Sequence, residues 1–227
     1  MVIISHSKKF IFFSNPKTGS ESVRDMLNEY NEEPVGVYRT RSRETPFYSH
    51  MSPRDTQKVF RERGLNFDSY FKFTFVRNPY RRLVSLYEMI IEVDGVEKMK
   101  RRLGFQPVAF SRWLRGIDTK GHGGGGRRHQ KWRQYGTWSI DAWEAGANGR
   151  PAVDEVIKLE DIKEKLPDLF QRIGVELRDS ITHNNRRVAK DPLDYYKPKD
   201  IELVRQKYQS DLTRFRYEFG NAEDLKA

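Results

Sequence analysis

The 227-residue sequence contains no cysteine, which excludes disulfide bonds, thiol nucleophiles and cysteine-based zinc sites. No apolar run approaches the roughly 20 residues that a membrane-spanning helix needs. The five histidines are scattered and form no close pair, so we expect no metal site. No secretory signal is recognisable near the start, because lysines interrupt the apolar stretch and no small-residue cleavage site follows. These absences together predict a cytoplasmic protein without a membrane partner.

Positive charge is in excess, because 42 Lys and Arg residues outnumber 32 Asp and Glu residues and give a formal net charge of +10. Such an excess indicates an anionic partner, and nucleic acid, a membrane surface, a polyanionic sugar and a phosphate-rich cofactor all fit it. Aromatic residues make up 13% of the chain, which argues against disorder. The length predicts one domain over residues 1–227.

Strand and helix patterns alternate along the chain and predict an α/β fold of three layers, with a mainly parallel central sheet flanked by helices. Apolar runs and alternating patterns predict strands at residues 10–13, 35–38, 69–77 and 153–159. Capping residues and helical spacing predict helices that begin near Ser20, Ser52, Asn78, Pro107, Asp161 and Lys199. The glycine-rich segment at residues 116–126 predicts a mobile loop.

The first predicted strand leads into the sequence Pro16-Lys17-Thr18-Gly19-Ser20 and then into a helix. This order makes the predicted domain P-loop-like, because a tight turn before a helix leaves backbone N–H groups free to bind an anion. Lys17 adds positive charge, and the hydroxyls of Thr18, Ser20 and Ser22 add donors. The segment does not match the Walker A pattern, since the lysine precedes the glycine. An ordinary turn with a serine-rich helix start remains the alternative.

A second motif follows the predicted strand at residues 69–77. Arg77 lies at its carboxyl end, where α/β sheets bind ligands, and Ser85 lies about two turns into the next helix. An arginine and a hydroxyl at this spacing can close on one phosphate group. Alternatively, Arg77 forms a surface ion pair and Ser85 is a small packing residue.

Together the two motifs resemble those of the PAPS-dependent sulfotransferases, which use 3′-phosphoadenosine 5′-phosphosulfate (PAPS). In that family the first loop binds the 5′-phosphosulfate, and an arginine and a serine eight residues apart bind the 3′-phosphate. The resemblance implies these roles here for two sets of residues, namely Lys17, Thr18, Gly19, Ser20 and Ser22 for the first and Arg77 and Ser85 for the second.

Further segments resemble the group that includes heparan and chondroitin O-sulfotransferases and their small soluble bacterial relatives. The similarity includes residues 45–50, 153–160 and parts of 183–219, and it is weakest over residues 94–149. The resemblance implies that PAPS is the co-substrate, without a metal, and that the sulfuryl group passes to a hydroxyl or amine. A carbohydrate or a small natural product is the acceptor that it favours, and the oligomeric state stays open.

The acceptor must lose a proton as it attacks sulfur, and histidine is the commonest general base. His50 occupies the place of the family's histidine, so the resemblance implies that it is the base. Glu44, His122 and His129 are the alternatives. Lys17 is the expected second catalyst, because its ammonium can neutralise charge on the leaving oxygen.

Two different functions remain open at this point. A nucleotide or nucleoside kinase with a variant phosphate loop would also use the first motif. A nucleic-acid-binding module would suit the net charge, although no recognised nucleic-acid motif is present. The basic segment around Trp132 is a candidate acceptor contact, and Arg186 and Arg187 are candidates for the 3′-phosphate or adenine end of the co-substrate.

Overall fold

The computed structural model describes residues 1–36, 41–105, 108–120, 136–177 and 191–220. These residues belong to two compact units. The first unit contains Met1–Val76 and residues 143–177, and the second contains the described residues of 77–142 and 191–220. The expectation of one domain over the whole chain stays a prediction.

The described residues contain six strands in chain order: β1 (Ile3–Ser5), β2 (Phe10–Phe13), β3 (Val35–Gly36), β4 (Phe47–Tyr48), β5 (Phe71–Val76) and β6 (Glu155–Lys158). The main sheet has the order β1, β2, β5, β6, and it lies wholly in the first unit. β1 pairs antiparallel with β2, whereas β2, β5 and β6 run parallel. β3 and β4 form a separate parallel pair. The predicted mainly parallel sheet is therefore confirmed.

The described residues also contain nine α-helices: α1 (Ser20–Leu27), α2 (Pro53–Glu62), α3 (Pro79–Val93), α4 (Gly95–Arg102), α5 (Phe110–Arg115), α6 (Ile140–Glu144), α7 (Ile162–Arg172), α8 (Pro198–Lys207) and α9 (Gln209–Phe215). Two predicted helix starts are confirmed by their caps. Ser52 Oγ accepts a hydrogen bond from the Asp55 amide at 3.2 Å, and Asn78 Oδ1 accepts one from the Tyr80 amide at 3.0 Å. Both helices begin with proline, which suits the first helical position.

One face of the main sheet packs against α1 and α7. Phe12 of β2 and Phe73 of β5 lie on this face with their rings stacked 5.1 Å apart. Val23 of α1 and Leu166 of α7 belong to the same cluster, and both are fully buried. The apolar positions of the two helices recur every three or four residues, so each helix turns one stripe toward the sheet.

The opposite face of the sheet carries the alternate side chains of the same strands. Phe13 of β2 contacts Phe67, and Phe67 in turn contacts Phe60 of α2. Within the first unit, helical structure therefore lies on both faces of the sheet, as the α/β prediction requires.

The second unit is built around a helical core. Leu83, Leu86 and Ile90 of α3 pack in one cluster with Trp113 of α5 and Val204 of α8. These positions of α3 have the helical spacing that predicted the helix.

The described residues contain four elements that the sequence did not predict, namely β1, β4, α4 and α6, and one predicted helix that is interrupted. β1 was not predicted, because a three-residue strand is too short to show an alternating pattern. The last helix is interrupted at Tyr208, which separates α8 from α9, although the apolar spacing continues across it. The side chain of Tyr208 is fully buried, and its hydroxyl donates a hydrogen bond to the carbonyl oxygen of Thr137.

Parts of other predicted segments lie outside the described residues: residues 37–38 of a predicted strand, Pro107 at a predicted helix start and residues 121–126 of the predicted loop. The described beginning of that loop has fixed partners. The carbonyl of Thr119 accepts a hydrogen bond from the Ser139 amide at 3.0 Å, and Ile117 is buried.

Candidate active site

The loop between β2 and α1 contains two closely spaced constraints on the backbone. Lys17 has φ of 64° and Gly19 has φ of 67°, so both adopt the left-handed conformation. A Cβ atom at Gly19 would also lie 2.5 Å from Cδ1 of Leu159. Glycine is required at position 19 for conformation and for space, and the loop passes close to the chain segment after β6.

The N-terminus of α1 is free of side-chain capping. Gly19 occupies the N-cap position, and it has no side chain that could accept a hydrogen bond from the first turn. By contrast, Ser52 caps α2 and Asn78 caps α3. The amides of the first turn of α1 carry the positive end of the helix dipole, and an anion is the partner that suits them.

The hydroxyls of the loop are engaged with the loop itself. Thr18 donates to the carbonyl oxygen of Asn15 at 2.8 Å, and the hydroxyls of Ser14 and Ser20 share a hydrogen bond of 2.9 Å. Thr18 is fully buried. Ser20 keeps a hydroxyl proton for a ligand when Ser14 is the donor of the shared bond. Ser22 is half-buried in the first turn of α1.

His50 is held against the same loop. Its Nδ1 lies 2.8 Å from the carbonyl oxygen of Ser14. A carbonyl oxygen only accepts hydrogen bonds, so Nδ1 carries a hydrogen and the lone pair of the neutral imidazole is on Nε2. The backbone of His50 is left-handed, with φ of 57°. Among the described residues outside glycine, only Lys9, Lys17, His50 and Arg216 have positive φ, and two of these four are the predicted catalytic residues.

Burial lowers the pKa of His50 from 6.5 to about 4. This value includes the smaller effects of the amino group of Met1 and the side chains of Arg24 and Lys17, which lower the pKa, and of the hydrogen bond to Ser14, which raises it. His50 is therefore neutral at physiological pH, so its Nε2 can accept a proton, and its low pKa makes the imidazole a weaker base than an ordinary histidine. His50, through its hydrogen bond to Ser14, therefore lies beside the loop that contains Lys17.

Glu44, the carboxylate considered as a base, lies in a different environment. Its side chain is exposed, and the Ser42 hydroxyl donates to it at 2.7 Å. This hydrogen bond lowers the pKa of Glu44, which makes it a weaker base than an ordinary glutamate. The two remaining candidate bases, His122 and His129, lie outside the described residues, as do Trp132, Arg186 and Arg187.

Arg77 and Ser85 belong to the second unit. Arg77 is the residue after β5, and Ser85 lies in the second turn of α3. Both are half-buried, and Nε of Arg77 is enclosed. The cap Asn78 anchors the start of α3, because its amide nitrogen donates to the carbonyl oxygen of Glu218 at 3.0 Å.

Sequence reasoning did not single out Arg24, whose charge reaches His50, or the buried pair Arg81 and Arg82 in α3. The only sequence signal for the pair was a double arginine inside an otherwise apolar helix.

A model of the sulfotransferase family matches residues 1–218 of the chain. The chain belongs to the sulfotransferase family. No curated protein and no solved structure matches it. A sulfotransferase needs a place for an anionic sulfuryl donor, and the uncapped start of α1 beside Lys17 and His50 has the charge and the hydrogen-bond donors for one.

The described residues of this sulfotransferase contain neither a cluster of possible metal ligands nor a membrane-spanning helix. No group of three or more His, Asp and Glu side chains there could hold a metal ion. None of the helices in the described ranges has the length and apolar character needed to cross a membrane.

Proposed function

We propose that the protein transfers the sulfuryl group of PAPS to a hydroxyl or amine of an acceptor, in a P-loop-like domain. The observation that carries the proposal is the placement of Lys17 and His50. Both have left-handed backbones, Lys17 lies in the loop after β2, His50 is hydrogen-bonded to Ser14 of that loop, and the charge of Lys17 helps to lower the pKa of His50. Backbone strain of this kind concentrates at functional sites, because only a surrounding structure that fixes the conformation can maintain it.

PAPS supplies an activated sulfuryl group whose sulfur–oxygen bond to the 5′-phosphate breaks in the reaction. In the proposed mechanism His50 Nε2 removes the acceptor proton as the acceptor oxygen or nitrogen forms its bond to sulfur. Lys17 stabilises the negative charge that develops on the phosphate oxygen as 3′-phosphoadenosine 5′-phosphate (PAP) leaves. The proton ends on His50 and the sulfuryl group on the acceptor. Sulfuryl transfer resembles phosphoryl transfer in depending chiefly on positioning and charge neutralisation.

Two parts of the chain are assigned to the two anionic ends of the co-substrate. The backbone amides at the start of α1, with Thr18, Gly19, Ser20 and Ser22, hold the 5′-phosphosulfate. Arg77 and Ser85 hold the 3′-phosphate, a dianionic group that a guanidinium and a hydroxyl suit. A carbohydrate or small natural product, of the kind that heparan and chondroitin O-sulfotransferases suggest, is the proposed acceptor.

Binding of PAP tests the proposal directly. We expect PAP to raise the melting temperature of the protein, because a ligand that binds only the folded state stabilises it. Labelled PAPS should then transfer its sulfuryl group to a member of a panel of sugars and phenols. Stabilisation by ATP with Mg²⁺ but not by PAP would contradict the proposal and favour the kinase alternative.

A further inference from the structure

Arg81 of α3 is a buried cation. Only 8% of its surface is exposed, and its terminal nitrogen NH2 is both fully enclosed and without a hydrogen-bond partner. Within the ranges that the structure describes, its side chain forms no hydrogen bond or ion pair. Buried charges in proteins are normally paired, because removing a charge from water is costly. An unpaired, buried guanidinium therefore indicates a missing anionic partner.

The neighbouring Arg82 is paired in part: its Nε and NH1 are also enclosed without a hydrogen-bond partner, but its NH2 and its charge have partners among the described residues. Arg82 donates from NH2 to the carbonyl oxygen of Trp138 at 2.6 Å, and its guanidinium lies 5.5 Å from the centre of the Tyr208 ring. Burial raises the pKa of the Asp211 carboxyl to about 6, and the charge of Arg82 opposes this shift, so the two groups are close enough to interact. Arg82 thus has a counter-charge among the described residues, and Arg81 does not.

The position of Arg81 indicates which anion it would bind. Ser85 is four residues further along α3, so the two side chains lie one turn apart on the same face of the helix. Arg77 is four residues before Arg81 in the sequence. Arg81 is therefore next to the residues assigned above to the 3′-phosphate.

We propose that Arg81 is a further binding residue for a phosphomonoester, the 3′-phosphate of the co-substrate, together with Arg77 and Ser85. This inference rests on the proposed function. A phosphomonoester carries about −1.5 to −2 charges at neutral pH, so two guanidinium groups neutralise it where one does not. The guanidinium of Arg81 gains its missing anionic partner when the phosphate binds. Arg81 then contributes to discrimination between PAP and adenosine nucleotides that lack the 3′-phosphate.

The test compares the affinity for PAP with the affinity for AMP, which has no 3′-phosphate, by isothermal titration calorimetry. The main variant is Arg81→Met, which fills the same space without the charge. We expect its Kd for PAP to rise about tenfold or more, while its Kd for AMP stays within about twofold of the wild-type value. The matched control is Arg102→Gln at the exposed end of α4, which removes one positive charge and should leave both Kd values unchanged.

The melting temperature of the ligand-free protein separates a binding role from a structural one. Replacing an unpaired buried charge by an apolar side chain relieves its desolvation, so Arg81→Met should melt at the wild-type temperature or above it. A structural arginine would give a lower melting temperature and an unchanged ratio of PAP to AMP affinity, and that result would overturn the inference. Arg81→Lys keeps the charge but not the planar fork, and it should also lose part of the affinity for PAP.

The outcomes also separate this inference from the proposed function. If the wild-type protein does not bind PAP, the proposed function fails. If the wild-type protein binds PAP and every folded Arg81 variant binds it equally well, only the role of Arg81 is wrong.

Discussion

Nδ1 of His50 donates a hydrogen bond to the carbonyl oxygen of Ser14 across 2.8 Å. The bond joins two residues that are 36 positions apart in the sequence, and Ser14 is the first residue of the loop that carries Lys17. It sets the tautomer of the imidazole and orients the ring, which are the two properties that a general base requires. His50 lies outside any strand or helix, and its backbone has the left-handed conformation.

Replacement of His50 by alanine tests its role as the base. We expect kcat to fall by about 10²–10⁴-fold, because proton removal from the acceptor loses its catalyst. The Kd for PAP should stay near the wild-type value, since His50 acts on the acceptor. Steady-state kinetics with labelled PAPS and calorimetry with PAP measure the two quantities.

His6 provides the matched control for this variant. It is a second histidine of the first unit, and its ring contacts the Tyr70 hydroxyl at 2.7 Å and the Glu33 carboxylate at 3.0 Å. His6→Ala should lower the melting temperature and leave kcat nearly unchanged. Near-normal turnover in His50→Ala would show that His50 is structural and would make Glu44 and His129 the next residues to test.

The low pKa of His50 predicts an unusual pH dependence. The neutral imidazole is the active form, so the rate rises as the pH rises through the pKa and then stays level. For the kcat/KM of PAPS, which reports the enzyme before the co-substrate binds, the rise should be centred near the pKa of about 4. For kcat, it should lie at higher pH, because the negative charge of the bound co-substrate raises the pKa of the imidazole. Rates measured across the acidic and neutral range test this, and a rise at the same pH in both profiles would contradict it.

Much of the main sheet could be predicted from local sequence patterns. The run of apolar residues in β2 and the alternation of aromatic and polar residues in β5 identify both strands. Ser52 and Asn78 mark the starts of two helices. These features depend on neighbouring residues alone, so a single sequence displays them. The uncapped start of α1 was also visible, since glycine precedes Ser20 in the sequence.

The electrostatic state of the site could not be predicted in this way. The hydrogen bond between His50 and Ser14 and the burial of the imidazole depend on contacts between distant parts of the chain. The sequence suggested an ordinary histidine pKa, whereas burial lowers it to about 4. The burial of Arg81 was equally hidden, because arginines in helices are usually exposed.

Substitution of Gly19 by alanine should destabilise the protein for two reasons. The residue is left-handed, which costs other amino acids about 1–2 kcal/mol. The added Cβ would also press against Leu159, and overpacking of this kind costs about 1–3 kcal/mol. Gly64→Ala is the matched control, because Gly64 has φ of 69° but a Cβ added there would meet no atom within 4 Å. Urea unfolding should show the larger loss for Gly19→Ala, and equal losses would contradict the close approach to Leu159.

Arg77 and Ser85 should contribute unequally to the binding of PAP. A hydrogen bond to a charged group is worth about 1.5–3 kcal/mol, and the guanidinium of Arg77 can donate two such bonds to the phosphate where the hydroxyl of Ser85 donates one. We therefore expect the Kd for PAP to rise about 100-fold or more in Arg77→Ala and about 10-fold in Ser85→Ala. Calorimetry with PAP and with AMP measures both effects, and AMP binding should change little in either variant.

The control for these two variants is Arg115→Ala, at the exposed end of α5, which removes a positive charge from the same unit. Its Kd for PAP should equal the wild-type value at moderate ionic strength, because a distant exposed charge is screened. A similar weakening in Arg115→Ala and Arg77→Ala would mean that net charge, not a defined phosphate site, attracts the co-substrate. An equal loss of PAP and AMP binding in Arg77→Ala would place Arg77 away from the 3′-phosphate.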